Sequence, residues 1–129
     1  MIIGAIDHIA INTADIGESI RFYRDVLGLR QGKTVEFDDF DVTYFELPGG
    51  GSLELFDYKG KNPRTKRADD EAGLRHIAFS VKDVAKHESE LRKAGVEVTL
   101  PTTELPSLGA RVLLFLDPSG VTVEFCEKL

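Results

Sequence analysis

Two histidines and two glutamates recur at matching places in a chain that repeats itself once. IDHIAINTADI, carrying His8, is echoed by LRHIAFSVKDV, carrying His76; SLELFDY, carrying Glu54, is echoed by VTVEFCEK, carrying Glu124. The histidines are separated by nearly the same length of chain as the glutamates, so the two halves correspond. A repeat this long that occurs only twice fits duplication of a half-domain and not a solenoid array. Imidazole nitrogens and carboxylate oxygens are ligands for divalent transition ions, and two of each at equivalent places suit a cation on a pseudo-twofold axis. One histidine near a strand start is ordinarily a hydrogen-bonded structural residue, and one strand glutamate ordinarily faces solvent. Four equivalent residues in two halves point to a site.

The elements that must carry them follow from hydrophobic period. Ile6 to Asn12 and Arg75 to Val81 alternate as half-buried strands do. In each, bulky residues (Ile9, Ile11; Ile77, Phe79, Val81) oppose a histidine followed by small or short polar residues (Ala10, Asn12; Ala78, Ser80). The bulky face belongs under a helix, and the other leaves room for a ligand. The first helix is predicted from an Asp15 N-cap, with Glu18 at capping-box spacing, through Ile20, Tyr23, Val26 and Leu27 to a stop at Gly28. The second starts near Asp83, carries Val84, Leu91 and Ala94, and stops at Gly95. Strands are predicted at Lys33 to Phe37, Val42 to Leu47, Ser52 to Phe56, Val96 to Leu100, Arg111 to Leu116 and Val121 to Cys126. Glu54 and Glu124 lie mid-strand between apolar neighbours, where a charge is unfavourable unless something satisfies it. A divalent cation would do so.

The 129 residues therefore read as one α+β domain of two βαβββ modules, residues 5–58 and 74–128, joined by a charged linker, residues 59–73. The linker's Lys59, Lys61, Arg64, Lys66 and Arg67 are balanced by Asp69, Asp70 and Glu71, as in a solvated connection; the alternative is a basic arm for a substrate's carboxylate or phosphate. His87 falls among charges on the second helix and reads as exposed. Cys126 reads as a small packing residue. Asp38, Asp39 and Asp41 read as a hairpin surface, with a second base as the alternative. A net charge of −6 argues against a nucleic-acid partner. A single cysteine excludes an internal disulfide, and no apolar run approaches the roughly 20 residues of a membrane span. MIIGAIDHIA lacks the marks of a secretory leader, so a cytoplasmic location is expected.

At these residues the chain resembles the vicinal oxygen chelate superfamily of glyoxalases, methylmalonyl-CoA epimerases, ring-cleaving dioxygenases, and fosfomycin and bleomycin resistance proteins. DHIAI and RHIAF, FYRDVLGL and LRKAGVEV at the helix ends, and DPSGVTVEF near the C-terminus carry the resemblance along essentially the whole chain. It implies that the paired modules form an open eight-stranded mixed β-barrel around a metal site. The set His8, Glu54, His76 and Glu124 is similar to that of glyoxalase I, which implies one divalent ion (Ni²⁺, Co²⁺, Mn²⁺, Fe²⁺ or Zn²⁺) and no organic cofactor. Glu124 would then also move the proton, with Glu54 as second catalytic carboxylate. Asn12, Phe56, Ser80 and Thr122 would line the substrate pocket.

The activity so implied is that of a lactoylglutathione-lyase-type enzyme, which transfers a proton through a metal-bound enediolate or enolate of a small substrate. A homodimer is expected. The alternatives are an epimerase-like or ring-cleaving dioxygenase member, or a non-catalytic protein that sequesters a small molecule. Asn12 stands where bacterial glyoxalase I usually carries an arginine, and Asp57-Tyr58 where it carries an asparagine. Phe37-Asp38-Asp39-Phe40 occupies the place of the epimerase's glutamate base.

Overall fold

The computed structural model describes residues 1–60, 62–66, 68 and 70–129. Of the linker charges, Lys61, Arg67 and Asp69 lie outside the described residues. The chain divides into two compact units, Met1–Arg64 and Thr65–Leu129. The first contains β1 (His8–Asn12), α1 (Ile16–Arg21), β2 (Arg30–Glu36), β3 (Asp41–Glu46) and β4 (Ser52–Asp57). The second contains β5 (Ile77–Ser80), α2 (Val84–Lys93), β6 (Val98–Leu105), β7 (Ala110–Leu116) and β8 (Thr122–Lys128).

The strands pair as two four-stranded mixed sheets, in the orders β1-β4-β3-β2 and β5-β8-β7-β6. The hydrogen-bonded architecture is thus two sheets where the resemblance implied one eight-stranded barrel. In each sheet the first strand runs parallel to the last, because a helical crossover returns the chain in the same direction; the hairpins between the remaining strands make the other pairs antiparallel. None of the described helices is long and apolar enough to cross a membrane.

Local chemistry explains the helix starts. Asp15 and Asp83 are N-caps whose carboxylates accept the backbone N–H of Glu18 and Lys86, each at 3.0 Å. The carboxylate of Glu18 pairs with Arg21 at 2.7 Å. Beyond Arg21 the helix changes character. Phe22–Val26 forms a π-helical turn, with the Leu27 N–H donating to the Phe22 carbonyl. This widened turn breaks the 3.6-residue period, so Phe22 is buried beside Tyr23, while Ile20, Val26 and Leu27 are only half-buried. Tyr23 then meets Phe45 of β3 and Phe22, anchoring the helix on the sheet.

In the second unit, Val84 and Leu91 of α2 are buried along with Leu113, Phe115, Val123 and Phe125 of the sheet. Glu127 of β8 accepts the N–H of Val84 at 3.0 Å and the Arg111 guanidinium at 2.9 Å, tying the helix start to two strands. His87 is half-buried and not exposed as expected: its ring bonds Glu90 at 3.0 Å and meets Phe125 edge-on at 5.4 Å. Contact across the helix–sheet interface, and not helix charge, decides its burial. β6 runs to Leu105, beyond the expected end at Leu100, and is followed by a 3₁₀ turn, Pro106–Leu108. Part of the expected linker is attached to the second unit, since the Thr65 N–H donates to the Ser119 carbonyl at 2.9 Å.

Candidate functional site

In the first unit β1 and β4 pair so that His8 faces Ser52 and Ala10 faces Glu54. His8 therefore lies one step along the same face from the strand partner of Glu54, and its Nδ1 reaches Glu54 Oε2 at 3.2 Å. The approach of β1 to β4 depends on Gly51, at φ 80°: a Cβ there would lie 2.9 Å from the Asp7 carbonyl oxygen, which accepts the Ser52 N–H. Asp7 also bonds His8 Nδ1 at 2.7 Å. That hydrogen bond first, and then the charge of Glu54, raises the pKa of His8 above its ordinary value.

The second unit repeats the arrangement. Ala78 faces Glu124 in the β5–β8 pair, and His76, just before β5, places Nε2 at 3.0 Å from Glu124 Oε2. Both carboxylates are largely withdrawn from solvent, with side chains 11% exposed for Glu54 and 14% for Glu124. The small side chains of Ala10 and Ala78 leave space over the glutamates they face. His76 Nδ1 is buried and without a hydrogen-bond partner among the described residues.

The donor chemistry fits a divalent cation in one specific way. Two ligands about 2.1 Å from a common ion and at right angles stand about 3 Å apart, which is the separation of imidazole nitrogen and carboxylate oxygen in both units. Carboxylates this withdrawn also need a compensating charge. Among the described residues no group of three or more His, Cys, Asp or Glu side chains is gathered as a metal site. Each unit presents a two-donor pair.

The expected pocket residues lie on the faces of these pairs. Asn12 is exposed and faces half-buried Phe56 in the strand register. Ser80 faces Cys126, whereas Thr122 lies on the other side of Glu124 along β8, so these two are not brought together. Thr122 and His76 instead line a cleft of about 200 Å³ with Thr65, Glu71, Arg75 and Val121. Cys126 is a half-buried free thiol. Asp38 and Asp39 are exposed, and Asp41 is paired with Lys59, which leaves no base in that hairpin poised beside Glu54.

Two features went unread in the sequence. Tyr44 of β3 stands directly opposite Glu54, a neighbour that depends on pairing register. Phe40 stacks on Phe37 and Phe56 and meets Tyr58 at a tilt, at ring separations of 5.0 to 5.2 Å, giving one end of the first sheet an aromatic surface. The clustering of aromatic residues from 37 to 58 was the available signal.

Comparison with known proteins bears on the whole chain. The family model of the Glyoxalase/Bleomycin resistance protein/Dioxygenase superfamily matches residues 5–125. The Bacillus subtilis protein YwkD is 33% identical over 130 residues, spanning 99% of this chain and 100% of its own. The mitochondrial methylmalonyl-CoA epimerase of Dictyostelium discoideum is 30% identical over 98% of this chain and 80% of its own. Lactoylglutathione lyase of Haemophilus influenzae is 29% identical over 94% and 90%. A glyoxylase/bleomycin resistance protein/dioxygenase domain from Frankia sp. EAN1pec matches the fold with a TM-score of 0.82 at 26% identity, covering 98% of this chain and 93% of that one. With its repeated βαβββ units and a match along nearly its full length, the chain belongs to the glyoxalase/bleomycin resistance protein/dioxygenase superfamily.

Proposed function

We propose that this chain is a divalent-metal-dependent enzyme of glyoxalase type, a lyase or isomerase that moves a proton on a small substrate with adjacent oxygens. The observation that carries this reading is the correspondence of the two units: each sets one imidazole against one withdrawn carboxylate at 3.0 to 3.2 Å beside a pair of parallel strands, through Nδ1 of His8 in the first and Nε2 of His76 in the second. His8, Glu54, His76 and Glu124 would hold the ion, one of Ni²⁺, Co²⁺, Mn²⁺, Fe²⁺ or Zn²⁺. When bound, it supplies Lewis acidity that draws electron density from the substrate's oxygens and acidifies a neighbouring C–H.

The proton work falls to the chain. Glu124 accepts the proton from that carbon and returns it to the adjacent one, while Glu54 mainly holds the ion. Ala10 and Ala78 keep space open over the carboxylates, and Asn12, Phe56, Ser80 and Thr122 line the approach. Return of the proton to the opposite face of the same carbon is the epimerase reading, which the epimerase among the relatives favours. A cytoplasmic homodimer completes the proposal. Ile2, Ile3 and Ile6 are more than two-thirds exposed and offer apolar surface for such pairing.

The test is elemental analysis of the purified protein, followed by solvent-deuterium exchange with hemithioacetals and with acyl-CoA thioesters. Bound divalent metal with exchange in one substrate class is the expected outcome. A metal-free protein that exchanges neither class rejects the reading.

A further inference from the structure

A row of partnered residues crosses the first sheet from Ala10 of β1 to Glu54 of β4 to Tyr44 of β3. Partners in adjacent strands share a face. At the next step the register shifts: Gln31 pairs with Phe45 and Thr34 with Thr43, so Gly32 and Lys33 together oppose Tyr44. This is a β-bulge, a device that re-aims side chains. Gly32 suits it because the backbones nearly touch; a Cβ there would meet the Tyr44 carbonyl oxygen at 3.3 Å. Lys33 is thereby delivered over Tyr44, its Nζ 5.6 Å from the ring centroid.

The charge at this spot is uncompensated. Lys33 has no carboxylate partner among the described residues, in a chain of net charge −6; Lys82, Lys86, Lys93 and Lys128 share that lack, but Lys33 alone of these lies against the row that carries Glu54. The fold does not demand a cation there. In the second unit the matching row runs from Glu124 to Leu114 to Leu100 and is apolar beyond the glutamate.

We propose, building on the role given above to Glu54, that Lys33 over Tyr44 is a specificity-determining subsite for a carboxylate carried by the substrate. One uncompensated positive charge beside a phenol matches a singly charged, two-oxygen group better than a phosphate dianion. Two strand spacings separate Lys33 from Glu54, roughly 10 Å, so the acidic group stands apart from the oxygens that react. The substrate class is an oxygen-chelating acid with a second, distal carboxylate.

The test is calorimetric binding of 2-oxo dicarboxylates of increasing chain length, and of their ω-methyl esters, to the protein as purified. Wild type binds the best-fitting diacid about tenfold or more tightly than its ester, the scale of one charge-assisted contact, and added salt erodes that preference. Lys33→Met abolishes the preference with ester affinity unchanged, and Lys33→Arg keeps it. Equal affinity of wild type for acid and ester, binding of neither, or a preference that survives in Lys33→Met overturns the subsite. Because binding is read and not turnover, a Lys33-dependent preference in a protein silent in deuterium exchange rejects the proposed reaction alone and leaves the subsite standing.

Discussion

His76 turns Nε2 to Glu124 at 3.0 Å while its other ring nitrogen is buried without a hydrogen-bond partner among the described residues. An unpaired buried polar atom costs about 1–3 kcal/mol. The ring sets Nε2 beside the glutamate, the nitrogen that the proposed ligand role would use.

Substituting the two histidines separately tests that chemistry. His8→Ala and His76→Ala each remove one imidazole donor, so divalent metal per chain, measured by elemental analysis, falls well below that of wild type for both. Circular dichroism shows the fold retained. Folded variants that keep full stoichiometry would transfer the ligand role elsewhere.

The two glutamates separate holding from proton transfer. Glu124→Gln preserves size and an oxygen donor but removes basicity, so it keeps most of the metal and loses about 10² to 10⁴ in deuterium exchange, the range for a positioned base. Glu54→Gln loses less at equal metal occupancy. The reverse ranking moves catalysis to the first unit, and unchanged exchange in both variants points to sequestration.

Ala10 and Ala78 face the glutamates in the strand register. Leucine at either position fills the space over the carboxylate without disturbing the buried face of the sheet. Ala78→Leu should lower kcat/KM by about tenfold or more, equivalent to roughly 1.4 kcal/mol, with a melting temperature near that of wild type. Undiminished kcat/KM would place the substrate off this face.

Acid stability should depend on Glu88. Its Oε2 accepts the Thr102 hydroxyl at 2.5 Å and the Thr102 N–H at 2.8 Å, and its Oε1 accepts from Arg92, clamping α2 to β6. The Thr102 hydroxyl first, then its N–H and Arg92, pull the carboxyl from the ordinary 4.5 to about 2. A pKa lowered by folding contributes stability that is present above about pH 4.5 and lost as pH falls towards 2. Wild type should therefore melt above Glu88→Gln at neutral pH, and thermal melts should converge across that acid window. A gap that persists at pH 2 would mean that packing, not ionisation, holds the clamp.

Much of the site was legible because its signals are local. Side chains alternate along a strand, so His8 and His76 could be set opposite Ile9 and Ile77 from sequence alone, and the observed burial follows that alternation. Asp15 and Asp83 marked the helix starts because a cap acts within three residues. The repeat itself is sequence information: it matched His8 with His76 and Glu54 with Glu124, and the two glutamates face Ala10 and Ala78 at corresponding places in their sheets.

What remained hidden depends on groups distant in the chain. Helical period alone set Tyr23 against Ile20, Val26 and Leu27; the π-turn that buries Phe22 arises as the helix packs on its sheet. The partners Ala10 with Glu54 and Tyr44 with Glu54 are set by strand register, which backbone hydrogen bonds between remote segments decide. The bulge at Gly32 and Lys33 is invisible until β2 meets β3, because one extra residue reverses the face that alternation assigns. Residue types and repeat therefore singled out the candidate groups; tertiary pairing alone decided what stands beside them, since register is a property of two strands and not of either sequence by itself.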